Sequence, residues 1–278
     1  MSLQKNDVKN IIIVVILCAG EGKRLNEIIK DIPKSLIKIN ALGNKSILHH
    51  TIELLHKLGV FQIAIVKGHL GKKIDEFFDL LTKNNMQLKE KLILIDSLEQ
   101  YKLGPLYSFL SITKHKNIFQ DKYHYLIIPG DTVFQYDLIY EIISILDEKY
   151  KLRLIYPLIF YRKIKLSSLR QRTKSESISI IELKKINSQK FLKSINQVKL
   201  DDLSNAEFIN QIIPVFLFPY QFIQEIINMV KLISVHTIKE IVNQLIIRGS
   251  KILAIMIDDD YNFYDIDTEL DLIEIEKL

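Results

Sequence analysis

Short apolar runs alternate with longer amphipathic stretches along the first 158 residues. Ile11–Leu17 is apolar at every position, which predicts a strand buried on both faces. Gln62–Val66, Lys91–Ile95, Tyr123–Ile128 and Arg153–Leu158 are further predicted strands. Helical patterns fall between them. In Ser46–Leu58 the apolar residues Ile47, Leu48, Ile52, Leu55 and Leu58 keep close to helical spacing, and Gly59 supplies a stop. Lys72–Thr82 carries Ile74, Phe77, Phe78 and Leu81 on one stripe. Leu106–Thr113 and Leu138–Tyr150 complete this set. Strands alternating with helices predict an α/β fold with a parallel, helix-covered sheet. Ligands of such sheets bind at the carboxyl ends of the strands.

The rhythm breaks over residues 159–205, which are polar and charged with one β-like run at Ser177–Leu183. Arg162, Lys163, Lys165, Arg170, Arg172 and Lys174 follow one another there without an acid. The stretch reads as a solvated loop or as a flap that recruits a phosphorylated ligand. A strand returns at Ile212–Phe218, then helices at Gln221–Lys231 and Thr237–Arg248, a strand at Lys251–Ile257 and a helix at Thr268–Lys277. Residues 1–10 are polar and read as a loose tail. No repeat or Gly/Pro/Ser-rich linker divides the rest, so 11–278 is expected to be a single domain with a variable insertion.

With 48% hydrophobic and 26% charged residues, the chain is globular in composition and not disordered. Its one cysteine excludes an intrachain disulfide and a Cys-rich zinc site, which points to a reducing, cytoplasmic setting. The net charge of +5 is too mild to announce a nucleic-acid partner. No apolar run approaches the ~20 residues of a membrane helix. Lys5 and Lys9 before Ile11–Leu17 raise the question of a signal peptide, but Gly-Glu-Gly-Lys-Arg follows where a small-residue cleavage site belongs.

Four motifs carry candidate chemistry. Leu17-Cys18-Ala19-Gly20-Glu21-Gly22-Lys23-Arg24 places two glycines directly after the first strand. Glycines there let the backbone approach a ligand, and consecutive N–H groups can form an anion-binding nest. Lys23 and Arg24 add positive charge where phosphates would sit. The spacing is neither a Walker loop nor a full dinucleotide fingerprint, and a plain strand-to-helix turn is the bland alternative. Pro33-Lys34-Ser35-Leu36 offers a lysine as a fixed point charge, or merely a solvated one. Gly130-Asp131 puts a carboxylate just past a buried strand, where a Mg²⁺ ligand or a turn cap belongs. In Asp265-Ile266-Asp267-Thr268 two carboxylates at i and i+2 share a side of an extended segment. They serve a metal, or Asp267 or Thr268 caps the helix that follows. Cys18 reads as a packing residue.

In this order, and with Leu103-Gly104-Pro105-Leu106 between the second and third, these motifs resemble the nucleotidyltransferases with a GT-A-like fold. The gap of ten residues from Arg24 to Lys34 is similar to that of the sugar-1-phosphate nucleotidyltransferases and of the phosphocholine and inositol-phosphate cytidylyltransferases. Gly104-Pro105-Leu106 also resembles the molybdenum-cofactor guanylyltransferases. The resemblance implies a three-layer, mostly parallel mixed sheet of Rossmann-like type, with a nucleotide-binding half (11–158) and an acceptor-binding half (159–278). It implies transfer of a nucleoside monophosphate from an NTP to a phosphorylated small molecule, with Mg²⁺ as cofactor. It further implies catalytic roles for Arg24, on the leaving pyrophosphate, and Lys34, on the reacting phosphates. Leu17, Ala19, Gly20, Gly22, Lys23, Gly104 and Pro105 would contact the nucleotide, and Asp131 with Asp265 or Asp267 would hold the metal. The chain departs from the sugar enzymes at Ile195–Lys199, which lacks their usual Glu-Lys-Pro element, and at Tyr264, where a tryptophan is usual.

Two alternatives stand beside this expectation. One is a cytidylyl- or guanylyltransferase of phosphocholine, polyol or cofactor synthesis. The other is a catalytically silent subunit that binds nucleotide or sugar. A Rossmann dinucleotide binder would need an acid after the second strand, and residues 37–43 offer none. The base, the acceptor and the oligomeric state are not legible.

Overall fold

The computed structural model describes residues 11–22, 25, 30–148, 156–172, 177–203, 206–258 and 261–277. Strand β1 (Ile12–Cys18) is followed by the short strands β2 (Lys38–Ile39) and β3 (Lys45–Ser46) and by helix α1 (Ile47–Lys57). Next come β4 (Gln62–Lys67), α2 (Gly71–Thr82), α3 (Met86–Lys91), β5 (Leu92–Asp96), α4 (Pro105–Leu110) and β6 (His124–Pro129). A short β7 (Thr132–Phe134) leads into α5 (Tyr136–Glu148). Then follow β8 (Leu158–Lys165), α6 (Leu166–Arg172), β9 (Ser177–Ile186), β10 (Gln189–Lys199) and β11 (Phe208–Pro219). The chain closes with α7 (Tyr220–Met229), α8 (Ile238–Ile247), β12 (Leu253–Ile257), β13 (Phe263–Asp265) and α9 (Glu269–Ile275).

Nine of these strands form one sheet in the order β5-β4-β1-β6-β11-β8-β12-β10-β9. β5, β4, β1 and β6 are parallel, and β12 is parallel to β8. β11 runs against β6 and β8, and β10 against β12 and β9. The sheet is therefore mixed, parallel through β5-β4-β1-β6 and largely antiparallel beyond, an α/β arrangement in agreement with the expected fold class.

Alternate residues of β1 enter opposite cores, as the two-residue period of a strand requires. Ile12, Val14 and Ile16 pack with Leu48 and Ile52 of α1 and Leu138 and Ile142 of α5. Ile13 and Val15 pack with Phe109 of α4, Ile223 of α7 and Ile241 of α8. Both faces are thus covered by helical apolar stripes, giving three layers. Helix ends have local causes. Ser46 Oγ accepts from the His49 N–H at 3.2 Å at the start of α1, and Gly59 (φ +71°) ends the turn after it. Thr237 and Glu240 form a reciprocal capping box at the start of α8. Among the described residues no helix is long and apolar enough to cross a membrane.

The second half departs from expectation at the basic stretch. Arg162, Lys163 and Lys165 lie on β8, and Arg170 and Arg172 fall within α6, so this is not a loop. Alternation explains it: Ile164 is buried while Lys163 and Lys165 point outward, their ammonium groups 4.8 and 5.7 Å from the Phe208 ring centroid. The strand expected at Arg153–Leu158 begins only at Leu158 among the described residues. Residues 149–155 and Lys174 lie outside them.

Candidate active site

The carboxyl ends of β1 and β6 lie side by side, with Leu17 opposite Pro129. β4 flanks β1 on the other side, so the chain departs from β1 in both directions and leaves a crevice at this end. The Gly130 N–H donates to the Leu17 carbonyl at 2.9 Å. A Cβ on Gly130 would lie 2.5 Å from Cys18 Sγ and 2.8 Å from the Leu17 oxygen, so only glycine lets β6 exit this close to β1. Burial pushes the Cys18 thiol up to about 12, so the one cysteine is a packing group and not a nucleophile.

Leu17, Ala19, Gly20, Gly22, Pro105 and Asp131 line a cavity of about 410 Å³ at this rim. All of these were predicted to be site residues, and here they share one concave surface. Among the described residues, no atom lies within 4 Å of where a Cβ on Gly20 would stand. Gly22 (φ +65°) has a different reason to be glycine, because a Cβ there would meet Lys34 Cγ at 2.9 Å. Gly104 (φ +113°) turns its bare Cα toward the His236 carbonyl, 2.5 Å from an added Cβ. Packing against the entry to α8 thus accounts for that glycine. Lys23 and Arg24 lie outside the described residues. Tyr101, Lys102 and Ser108 also line the cavity and were not anticipated.

Lys34 starts a single 3₁₀ turn, Lys34–Leu36, directly after Pro33. Its stem passes Gly22 and its side chain is only 12% exposed. The ammonium donates to Asp267 at 2.7 Å and stands 3.7 Å from Asp131. These two acids come together because β7 and β13 pair antiparallel, Asp265 opposite Thr132. The Ile266 N–H donates to the Asp131 carbonyl at 3.0 Å. Val133 and Ile266 then bury themselves in a third apolar cluster with Ile37, Ile39 and Ile275, which anchors the ribbon. Thr268 caps α9, so Asp267 is not used as the cap and keeps Lys34 as its partner.

The acids press on one another. Burial pushes the Asp131 carboxyl above its ordinary range; Lys34 opposes this and Asp267 adds to it. Asp265 accepts a hydrogen bond from the Thr132 hydroxyl at 2.5 Å. The protein atoms crowding Asp265 push its carboxyl up to about 6, with the like charges of Asp131 and Asp267 adding to the effect. That carboxylate nonetheless opens onto solvent, and screening keeps the energetic weight of this displacement small. Among the described residues, no group of three His, Cys, Asp or Glu side chains is arranged to hold a metal ion by itself.

A second cavity of about 420 Å³ adjoins the acids. Asp265 and Asp267 form one side, and Ser179, Gln211, Arg162 and Lys239 are among its other walls. Arg162 is buried, donates through Nε to Gln211 at 2.8 Å and through a terminal nitrogen to the Tyr261 carbonyl at 2.7 Å, and lies over the Phe263 ring. Asp131 belongs to the first cavity and Asp267 to the second. Lys34 pairs with both acids and so links the rims of two ligand-sized spaces, although it is not among the residues lining either.

Residues 14–179 match the family described as the MobA-like NTP transferase domain, well over half of the chain. The chain belongs to that family. A probable glucose-1-phosphate cytidylyltransferase of Bacillus subtilis is 42% identical over 64 residues, 23% of this chain and 24% of that protein. The bifunctional protein GlmU of Methanococcus maripaludis is 35% identical over 130 residues, 47% of this chain and 27% of that protein. The chain spans about a quarter of the length of these curated relatives. A UDP-glucose pyrophosphorylase complexed with UDP-glucose superimposes with a TM-score of 0.70 over 96% of this chain and 97% of that one, at 15% identity. At that identity the likeness concerns the fold. The family match covers β1 from Val14 onward, Lys34 and Asp131, whereas Lys239, Asp265 and Asp267 lie beyond it.

Proposed function

We propose that this domain transfers a nucleoside monophosphate from a nucleoside triphosphate to a phosphorylated small molecule, a sugar 1-phosphate or a similar ester, and releases pyrophosphate. The observation that supports this most is the junction: one lysine pairs with an acid from each of two adjoining cavities. The first cavity receives the triphosphate and the second the acceptor. An acceptor phosphate oxygen attacks the α-phosphorus in line. One P–O bond forms, and the bond to pyrophosphate breaks. Such transfer needs positioning and charge neutralisation and no side-chain nucleophile.

The Gly20–Gly22 backbone cradles the triphosphate, with Leu17, Ala19, Lys23, Gly104 and Pro105 contributing further contacts. Lys34 contacts the reacting phosphates and Arg24 the departing pyrophosphate. Asp131, with Asp267 or Asp265, fits Mg²⁺, because the carboxylates are hard oxygen donors already gathered around one positive charge. Mg²⁺ is commonly held by one or two carboxylates plus substrate phosphates, so a complete protein cage is not required. The ion would neutralise charge on the phosphoryl oxygens. The single buried cysteine accords with a reducing, cytoplasmic setting.

The test is pyrophosphate release from CTP, GTP, UTP, dTTP and ATP against a panel of phosphate monoesters with Mg²⁺. Turnover with at least one pair is expected. Nucleotide binding without release from any pair would identify a silent binder. Asp131→Asn should lower turnover by roughly 10²-fold or more at an unchanged melting temperature; undiminished Mg²⁺-dependent turnover would remove Asp131 from the site.

A further inference from the structure

The second cavity contains a cation that the proposed reaction has not yet used. Lys239 lies on the first turn of α8 and reaches the cavity that Asp265 and Asp267 also line. Its helix is firmly placed: the Thr237–Glu240 box caps it, and Ile238, Ile241 and Val242 are buried. The Lys239 ammonium donates to Ser179 Oγ on β9 at 2.5 Å and, among the described residues, forms no ion pair. The nearby acids are engaged elsewhere, Asp267 with Lys34 at 2.7 Å and Asp265 with Thr132 at 2.5 Å. Arg162, the cavity's other cation, is already committed to Gln211 and the Tyr261 carbonyl. A half-buried ammonium held by one hydroxyl is costly until an anion completes its shell. Burial accordingly holds Lys239 below the usual lysine range, with Asp265 and Asp267 opposing this from a distance.

The acids are thus flanked by two lysines, Lys34 at the junction with the nucleotide cavity and Lys239 on the acceptor side. We propose that Lys239, held in place by the Ser179 hydroxyl, binds the phosphate of the acceptor. The Ser179 hydroxyl gives its hydrogen to Gln197 Oε1 at 2.6 Å and its oxygen to Lys239, so the ammonium itself supplies charge and donors, which suits a phosphate monoester and is wasted on a neutral alcohol. The word acceptor rests on the proposed transferase activity, whereas the phosphate site itself does not.

The experiment compares the wild type with Lys239→Met, Lys239→Arg and Lys184→Met, the last an exposed lysine of the same strand as Ser179. Glucose 1-phosphate and inorganic phosphate are titrated with Mg²⁺ present and followed by ³¹P line width. CTP, GTP and UTP binding is measured separately by thermal shift. Lys239→Met should weaken both phosphate probes by roughly tenfold or more, the usual scale for losing a charged hydrogen bond. Lys239→Arg should recover part of this, Lys184→Met should change nothing, and nucleotide binding should be the same in all four proteins. Equal probe affinity in the wild type and Lys239→Met overturns the proposal, and so does a wild type that binds neither probe. Lys239-dependent phosphate binding without nucleotide binding would sustain this site while removing the transferase reading.

Discussion

Replacing Lys34 with methionine removes one charge and keeps a stem of similar length against Gly22. The structure sets the scale of the stability loss. Lys34 gives one charge-assisted hydrogen bond to Asp267 at 2.7 Å and a weaker attraction to Asp131 at 3.7 Å. Both carboxylates are more than a third exposed, at 39% for Asp131 and 46% for Asp267, so solvent screens most of the Coulomb energy. The net loss is then about 1–2 kcal/mol, which lowers the melting temperature by a few degrees. The catalytic loss follows different arithmetic. In the proposed reaction, a cation beside developing phosphate charge, with bound substrates displacing solvent, is worth ~3–4 kcal/mol in the transition state, or about 10²–10³ in kcat. Lys34→Met should therefore be nearly fully folded at 25 °C and almost inactive. Thermal unfolding and pyrophosphate release on the same sample decide the matter. If activity falls only in proportion to the folded fraction, Lys34 is a strut between β7 and β13 and the site reading is wrong.

Two glycines at the rim should respond oppositely to alanine. Gly20→Ala meets no atom of the described residues, so the melting temperature should hold while nucleotide affinity drops; unchanged affinity would show that no ligand passes there. Gly130→Ala drives a methyl into Cys18 Sγ and the Leu17 carbonyl and should cost roughly 1–3 kcal/mol in denaturant unfolding, with wild-type stability refuting the close approach. The third prediction concerns pH. Asp265 titrates higher in the folded chain, at about 6, than its ordinary 3.8, so its contribution to stability is complete below the lower value and is lost as pH rises through the upper one. Metal-free wild type should therefore lose ground to Asp265→Asn between about pH 4 and pH 7, modestly because the carboxylate is solvent-screened; parallel stability curves for the two proteins would refute this.

Local chemistry made much of the first half legible. The unbroken apolar run of β1 could be satisfied only by burial on both faces, and the glycines after it marked where backbone and ligand meet. Helices α1, α2, α4, α5, α7 and α8 announced themselves through stripes and stops, whereas the short α3 and α6 did not. The basic stretch was misread because its charge density hid the two-residue alternation that makes β8 a strand and buries Arg162. Gly104 stood out in the sequence, but the reason for it, the His236 carbonyl, comes from a segment far along the chain.

Lys34 and Asp267 are separated by 233 residues, and nothing near either one encodes their meeting. It depends on two strands of three residues each, too short to carry a pattern, which pair because Val133 and Ile266 can leave water together only in the cluster beneath them. Lys239 is a still harder case. On the sequence it is a polar position of an amphipathic helix, identical to any solvent-facing lysine. Its place in a cavity comes from the antiparallel turn of β9 and β10 laying Ser179 beside α8. Residue type and spacing settle which groups can do chemistry, because those properties are local. Which groups face one another depends on how distant apolar surfaces are buried at once, and that is a property of the whole fold.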